Sequence, residues 1–172
     1  NLTTQFHCVF LMMSTLWEIV GRMFKGRYDY TVDEKGRASL PSRFRDTILS
    51  SGNDRVVITM ALDVRHPHLD VHPAAAWSEF EQRLSARSLF DDNVVRLKRL
   101  YVANAVECPL DAHGRILIPA GQRVHANIGS DITWVGMTRI VEIWNPEIWA
   151  AAQKEAMEAV DQVRSGLSGL EL

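Results

Sequence analysis

The chain states one short pattern twice. Residues 33–41 read Asp33-Glu34-Lys35-Gly36-Arg37-Ala38-Ser39-Leu40-Pro41, and residues 111–119 read Asp111-Ala112-His113-Gly114-Arg115-Ile116-Leu117-Ile118-Pro119. Asp, Gly, Arg and Pro recur in one register, 78 positions apart (111 − 33). Each copy reads as a turn that feeds a strand. The aspartate starts the turn by bonding nearby backbone, and the glycine supplies a positive φ. Arg37 and Arg115 leave the turn, an apolar run follows, and proline closes it. Asp33, Gly36 and Pro41, with Asp111, Gly114 and Pro119, are therefore assigned to building the turns. A unit this small cannot bury a core alone, so the second copy is its natural partner.

A second matched block follows in the same order. Leu69-Asp70-Val71-His72-Pro73 runs to Trp77, and Val141-Glu142-Ile143-Trp144-Asn145-Pro146 runs to Trp149. Each is an alternating strand entering a proline-marked helix start with a tryptophan. The offset here is 72 (149 − 77), so the second copy is shorter inside. The missing residues are expected in a hairpin loop.

With 172 residues the chain makes one compact domain or two small ones. A net charge of −2 gives no overall attraction for nucleic acid, so any such binding needs local positive charge. Cys8 and Cys108 form neither a metal spacing nor a disulfide framework, which suits a reducing cytoplasm. Residues 1–22 differ in composition from the rest. The stretch Phe6–Val20 is apolar but interrupted by His7 and Glu18, and is shorter than the roughly 20 residues a spanning helix needs. Met23-Phe24-Lys25-Gly26 resembles a translation start, so 1–22 is read as an extension outside the fold and no membrane partner is expected; the competing reading is a membrane anchor.

The remaining elements are short. Strands are expected at Tyr28–Val32, Ala38–Leu40, Arg55–Ala61, around Leu69 and Val71, at Ala103–Glu107, Ile132–Val135 and Val141–Trp144. Ser42–Ser50 carries a helical pattern with Phe44, Ile48 and Leu49 on one face. A helix from Pro73 buries Trp77, Phe80 and Leu84, and one capped near Asp91 buries Val94, Leu97 and Tyr101. Short helix 120–127 and a long helix from Asn145-Pro146-Glu147 to about Arg164 complete the chain. No βαβ rhythm, Gly-rich phosphate loop or nucleophile motif is present, so no enzyme, cofactor or small-molecule substrate is expected.

Two residue groups invite a binding role. Lys25, Arg27, Lys35, Arg37, Arg43 and Arg45 crowd the first repeat, and guanine readout favours an arginine held on a rigid turn. The alternative is that Asp33 and Arg37 brace one another across the hairpin. His66, His68, Asp70 and His72 alternate, so an extended segment places all four on one face. That is a candidate metal pattern. The simpler reading is a solvated strand face opposite Leu69 and Val71, with Pro67 disturbing the spacing, and no metal is assigned.

The opening Met23-Phe24-Lys25-Gly26, the turn Asp33-Glu34-Lys35-Gly36-Arg37, His66-Pro67, Arg96-Leu97-Lys98-Arg99-Leu100 and the second turn Asp111-Ala112-His113-Gly114-Arg115 resemble the MraZ family of bacterial transcriptional regulators. The resemblance runs from about Met23 to the C-terminus. It implies an α+β fold of two tandem AbrB-like swapped-hairpin β-barrel halves with outer helices. The halves fall at 27–74 and 103–146, with connecting helices 75–102 and a C-terminal helix and tail 147–172. It also implies a cytoplasmic, nucleoid-associated homo-oligomer, a ring. This ring binds G-rich direct repeats of double-stranded DNA in its own promoter region and regulates, by repression, the division and cell wall gene cluster. Lys35 and Arg37 match the family's DNA-binding turn, and Lys25, Arg27, Arg43 and Arg115 join them as candidate DNA contacts. His113 stands where the first repeat has Lys35, so the first repeat is expected to contribute more. A ring-forming scaffold that binds protein through its outer helices is the competing function.

Overall fold

The computed structural model describes residues 23–50, 52–88, 90–167 and 169. The extension 1–22, with Cys8, lies outside the described residues. The first repeat comprises β1 (Phe24–Thr31), β2 (Arg37–Ser39), α1 (Ser42–Leu49), β3 (Arg55–Met60) and β4 (Leu69–Pro73). Two helices follow, α2 (Ala74–Ser85) and α3 (Asp92–Leu97), and α3 continues as a π turn over Lys98–Val102. The second repeat comprises β5 (Val106–Pro109), β6 (Arg115–Leu117), α4 (Ala120–His125), β7 (Asp131–Thr138) and β8 (Ile140–Trp144). Helices α5 (Pro146–Glu158) and α6 (Val160–Gly166) end the described chain.

The strands form a six-stranded antiparallel sheet in the order β1-β7-β8-β4-β3-β5, and a two-stranded sheet of β2 and β6. Exchanging the repeats maps β1 to β5, β2 to β6, β3 to β7 and β4 to β8, and the order then reads the same from either edge. The first strand of each repeat pairs with the third strand of the other: Tyr28 lies opposite Trp134, and Val106 opposite Ile58. Ala38 pairs with Ile116, its own repeat equivalent, and Asp70 pairs with Glu142, also its equivalent. Both pairs therefore sit where the symmetry of the two repeats crosses. Neither repeat closes its sheet alone.

The core lies between these sheets and α1. Phe44 meets Phe24 and Tyr28 edge-on at 5.6 and 5.2 Å, and Ile48, Ile58, Leu69, Ile116, Ile118, Trp134 and Ile143 are fully enclosed. Apolar burial of this kind contributes about 1.5–3 kcal/mol per large side chain. Leu49, expected beside Phe44 and Ile48, is exposed instead, because one residue past Ile48 turns it off the buried face.

Boundaries follow local chemistry. Pro41 and Pro119 precede α1 and α4, and Asn145 caps α5 by accepting from the amides of Glu147 and Ile148. The long C-terminal helix is broken at Ala159, which divides α5 from α6. The expected strand 103–107 begins later, at Val106, because the π turn carries the helix through Val102. The repeat offset falls first to 76 at β3 and β7 (131 − 55), then to 72 at β4 and β8. Part of the shortening thus lies in α4, which is shorter than α1, and the rest in the β7–β8 hairpin, where Arg139 alone joins the strands.

Candidate nucleic-acid interface

The two repeated turns have one geometry. The Asp33 Oδ1 accepts the amides of Lys35 and Arg37 at 3.0 and 2.9 Å, and Asp111 Oδ1 accepts those of His113 and Arg115 at 2.8 and 3.0 Å. Gly36 and Gly114 take φ of 83° and 72°, the left-handed region that glycine enters without a side-chain clash. The Arg37 Nε and Nη2 donate to Asp33 Oδ2 at 2.8 and 2.7 Å, and Arg115 repeats both contacts on Asp111. Arg115 Nη1 also lies 4.0 Å from Asp33 Oδ2, so the two turns stand side by side. Strands β2 and β6 hold them there: Leu40 N–H donates to Gly114 O, and Ile118 N–H to Gly36 O.

Bracing is therefore what Asp33 and Arg37 do, and what Asp111 and Arg115 do. The pairs are about one-third exposed, so each adds little to stability. Their effect is to fix the turn and hold each guanidinium plane. Hydrogen bonds from the Arg115 amide and side chain pull the Asp111 carboxyl down to about 2, and those from Arg37 likewise lower Asp33. Both remain ionised at neutral pH.

The structure adds a residue the sequence reading passed over. Arg123, in α4, lies across Gly36 of the other repeat, its guanidinium carbon 3.0 Å from where a Cβ would stand. Arg45, in α1, lies across Gly114 in the same way. These arginines are repeat equivalents, 78 positions apart (123 − 45), and extending the turn register by a few residues would have found the pair. Each turn is thus covered by a cation from the opposite repeat. Among the described residues, neither Arg45 nor Arg123 has a carboxylate within ion-pair distance; Arg123 Nε donates to Ile118 O at 3.2 Å. Lys35, Arg43 and His113 are exposed.

The remaining expected cations are elsewhere. Lys25 and Arg27 sit near the start of β1, six and four residues before its end, so about 13–20 Å of strand separates them from the turn. Arg27 is paired with Asp29 at 3.3 Å. They lie on β1 at the edge of the sheet, where charge discourages pairing with further strands.

The histidine row does not stay together. His66 turns to Asp63 and Glu155, at 3.2 and 3.1 Å. His72 Nε2 meets the Tyr101 hydroxyl at 2.8 Å, and burial pushes its imidazole down to about 4, so it is neutral. His68 and Asp70 are buried on the face expected to be solvated, because the Trp144 ring stacks on His68 and the tyrosine of the π turn covers Asp70. The Cys108 thiol is buried and pushed up to about 11, which keeps it protonated and unreactive. No helix among the described residues is long and apolar enough to cross a membrane.

Comparison with known proteins agrees with the repeat. The family model described as "MraZ protein, putative antitoxin-like" matches residues 23–100 and again 101–165. A protein of Thermoanaerobacter pseudethanolicus named transcriptional regulator MraZ is 34% identical over 150 residues, covering 87% of this chain and all of that protein. Proteins of the same name from Pseudoalteromonas translucida and Citrobacter koseri are 36% and 34% identical, covering 79% and 85% of this chain and 88% and 95% of theirs. A doubled family match, coinciding with a doubled turn and a symmetric sheet, places the chain in the MraZ family.

Proposed function

We propose that this protein is a transcriptional regulator that binds double-stranded DNA through its paired turns. The observation that carries the reading is the cross-cover: each Asp-braced turn presents its own basic residues beneath an arginine from the other repeat. Lys35, Arg37, Arg115, Arg45 and Arg123 thereby form one local positive surface on a chain whose net charge is −2. Phosphate contacts supply affinity and position, and a guanidinium held in a plane suits the O6 and N7 edge of guanine. Arg43 is a flanking phosphate contact. Lys25 and Arg27 are assigned to the sheet edge instead. The relatives' name supports the regulatory role.

We assign the two repeats to the two halves of a swapped-hairpin barrel of the AbrB type, a reading that the exchange of first strands supports. The further reading is a homo-oligomeric ring at the nucleoid. Its paired turns engage G-rich direct repeats near the protein's own promoter and so repress the division and cell wall genes. The exposed apolar side chains Met157 on α5, Val163 on α6 and Leu167 just past it favour contact with further copies. The test is a mobility shift with the gene's upstream DNA at several salt concentrations. Specific binding that weakens as salt rises is expected. Binding indifferent to sequence, or none at all, favours the scaffold reading.

A further inference from the structure

At the centre of the sheet, where β4 meets β8, three side chains aim donor atoms at one point. Asp70 and Glu142 are direct cross-strand partners, and both are buried. His68 is buried beside them, 6% exposed, with its ring stacked on Trp144 at 3.8 Å. The His68 Nε2 lies 3.7 Å from Asp70 Oδ1 and 3.6 Å from Glu142 Oε1, beyond hydrogen-bond distance from either. One donor atom from each of the three residues falls within 4.8 Å of the others.

Each of the three is held by a hydrogen bond on its far side. His68 Nδ1 is 2.7 Å from His66 O; a carbonyl only accepts, so Nδ1 carries the proton and Nε2 of the neutral ring holds a lone pair. The Tyr101 hydroxyl donates to Asp70 Oδ2 at 2.5 Å, and Trp144 Nε1 donates to Glu142 Oε2 at 2.8 Å. With the ring neutral, the inward-facing atoms are a nitrogen lone pair and two carboxylate oxygens. Like charges placed directly opposite across strands repel, and burial increases that cost. A proton on His68 would leave a net charge of −1; a divalent cation would bring the three groups to zero.

We propose that His68, Asp70 and Glu142 form a binding site for a divalent first-row transition metal of the zinc class. Imidazole with carboxylate selects such ions over calcium or magnesium, which prefer oxygen alone. Ligands about 2.1 Å from a tetrahedral zinc stand about 3.4 Å apart, close to the separations from His68. The outer hydrogen bonds from His68, Tyr101 and Trp144 match the way metal ligands are oriented. Because Asp70 and Glu142 belong to different repeats, the ion joins the repeats at their centre. This inference does not rest on DNA binding.

The test uses the full chain, stripped with a chelator and titrated with Zn2+ by calorimetry and with Co2+ by visible absorption. One ion per chain, ligand-field bands with Co2+, and a melting point that rises with Zn2+ are expected. With 15N-labelled histidine, His68 alone of the six histidines should show the metal-bound Nε2 shift. Glu142→Gln should abolish binding, Tyr101→Phe should weaken it about 10–100-fold, and His66→Ala should leave it unchanged. The wild-type titration decides the matter even if a variant fails to fold. A folded wild-type chain that takes no ion, or one whose ion shifts another histidine, overturns the site.

Discussion

Arg45 of the first repeat lies so closely over Gly114 of the second that a Cβ built there would stand 2.5 Å from its Nη1. Arg123 covers Gly36 at 3.0 Å. Each glycine is required by its positive φ, and a Cβ there would also push the covering arginine aside. Gly114→Ala should destabilise the protein by about 1–3 kcal/mol, from backbone strain and displacement of Arg45. Gly36→Ala should cost no more, because its covering arginine is farther off. Urea unfolding checks both, and an unchanged midpoint for Gly114→Ala would show that the turn is held otherwise.

If the covering arginines contact phosphate, Arg45→Ala and Arg123→Ala should each weaken DNA binding across sequences. Each should also reduce the salt slope of log K by about one. Melting should barely move, because neither arginine is in an ion pair among the described residues. Lys35→Ala should weaken binding more than His113→Ala. A salt slope identical to wild type in both arginine variants would remove them from the interface.

The Asp111 carboxyl provides a pH readout of the turn. Its folded value, about 2, lies below the unfolded value of 3.8. The folded state therefore gains from ionised Asp111 above about pH 4, and that gain is lost as pH falls from about 4 to 2. Carboxyl NMR should show Asp111 titrating near the bottom of this window in the wild type and higher in Arg115→Ala, yet still below the ordinary value, because the amides of residues 113 and 115 remain as donors. A normal midpoint in the wild type would mean the Arg115 pair is not formed in solution.

Strand exchange makes a prediction about half the molecule. In an isolated 23–102 fragment, β1 has lost β7, and β3 has lost β5. The fragment should be unfolded or should pair with a second copy of itself. Circular dichroism with light scattering checks this. A monomeric fragment that melts cooperatively would contradict the pairing.

Sequence and structure agree most where the chemistry is local. The Asp-x-x-Gly-Arg turns, the proline-led helix starts and the buried faces of Phe44 and Trp77 follow from spacing within one element. The partnership of Arg45 with Gly114 is not local, since their contact depends on β2 pairing with β6. The same holds for Glu142 beside Asp70: alternation placed His68, Asp70 and His72 on one face, but only the β4–β8 register brings a carboxylate from 72 residues away. His66 leaves the row because Pro67 and the Asp63 turn precede β4, so the segment is not extended there.

The central claim is that paired turns, repeated on an oligomer, read repeated DNA. The most direct measurement is the affinity of the full chain for upstream DNA carrying one, two, three or four direct repeats at fixed physiological salt. Single sites neutralise few phosphates and should bind weakly, while linked sites should gain roughly 10²–10⁴ in affinity through effective concentration. A steep rise with repeat number, lost on scrambled DNA and in the Arg45→Ala, Arg123→Ala double variant, is the expected result. Equal affinity for one repeat and for four would contradict the account.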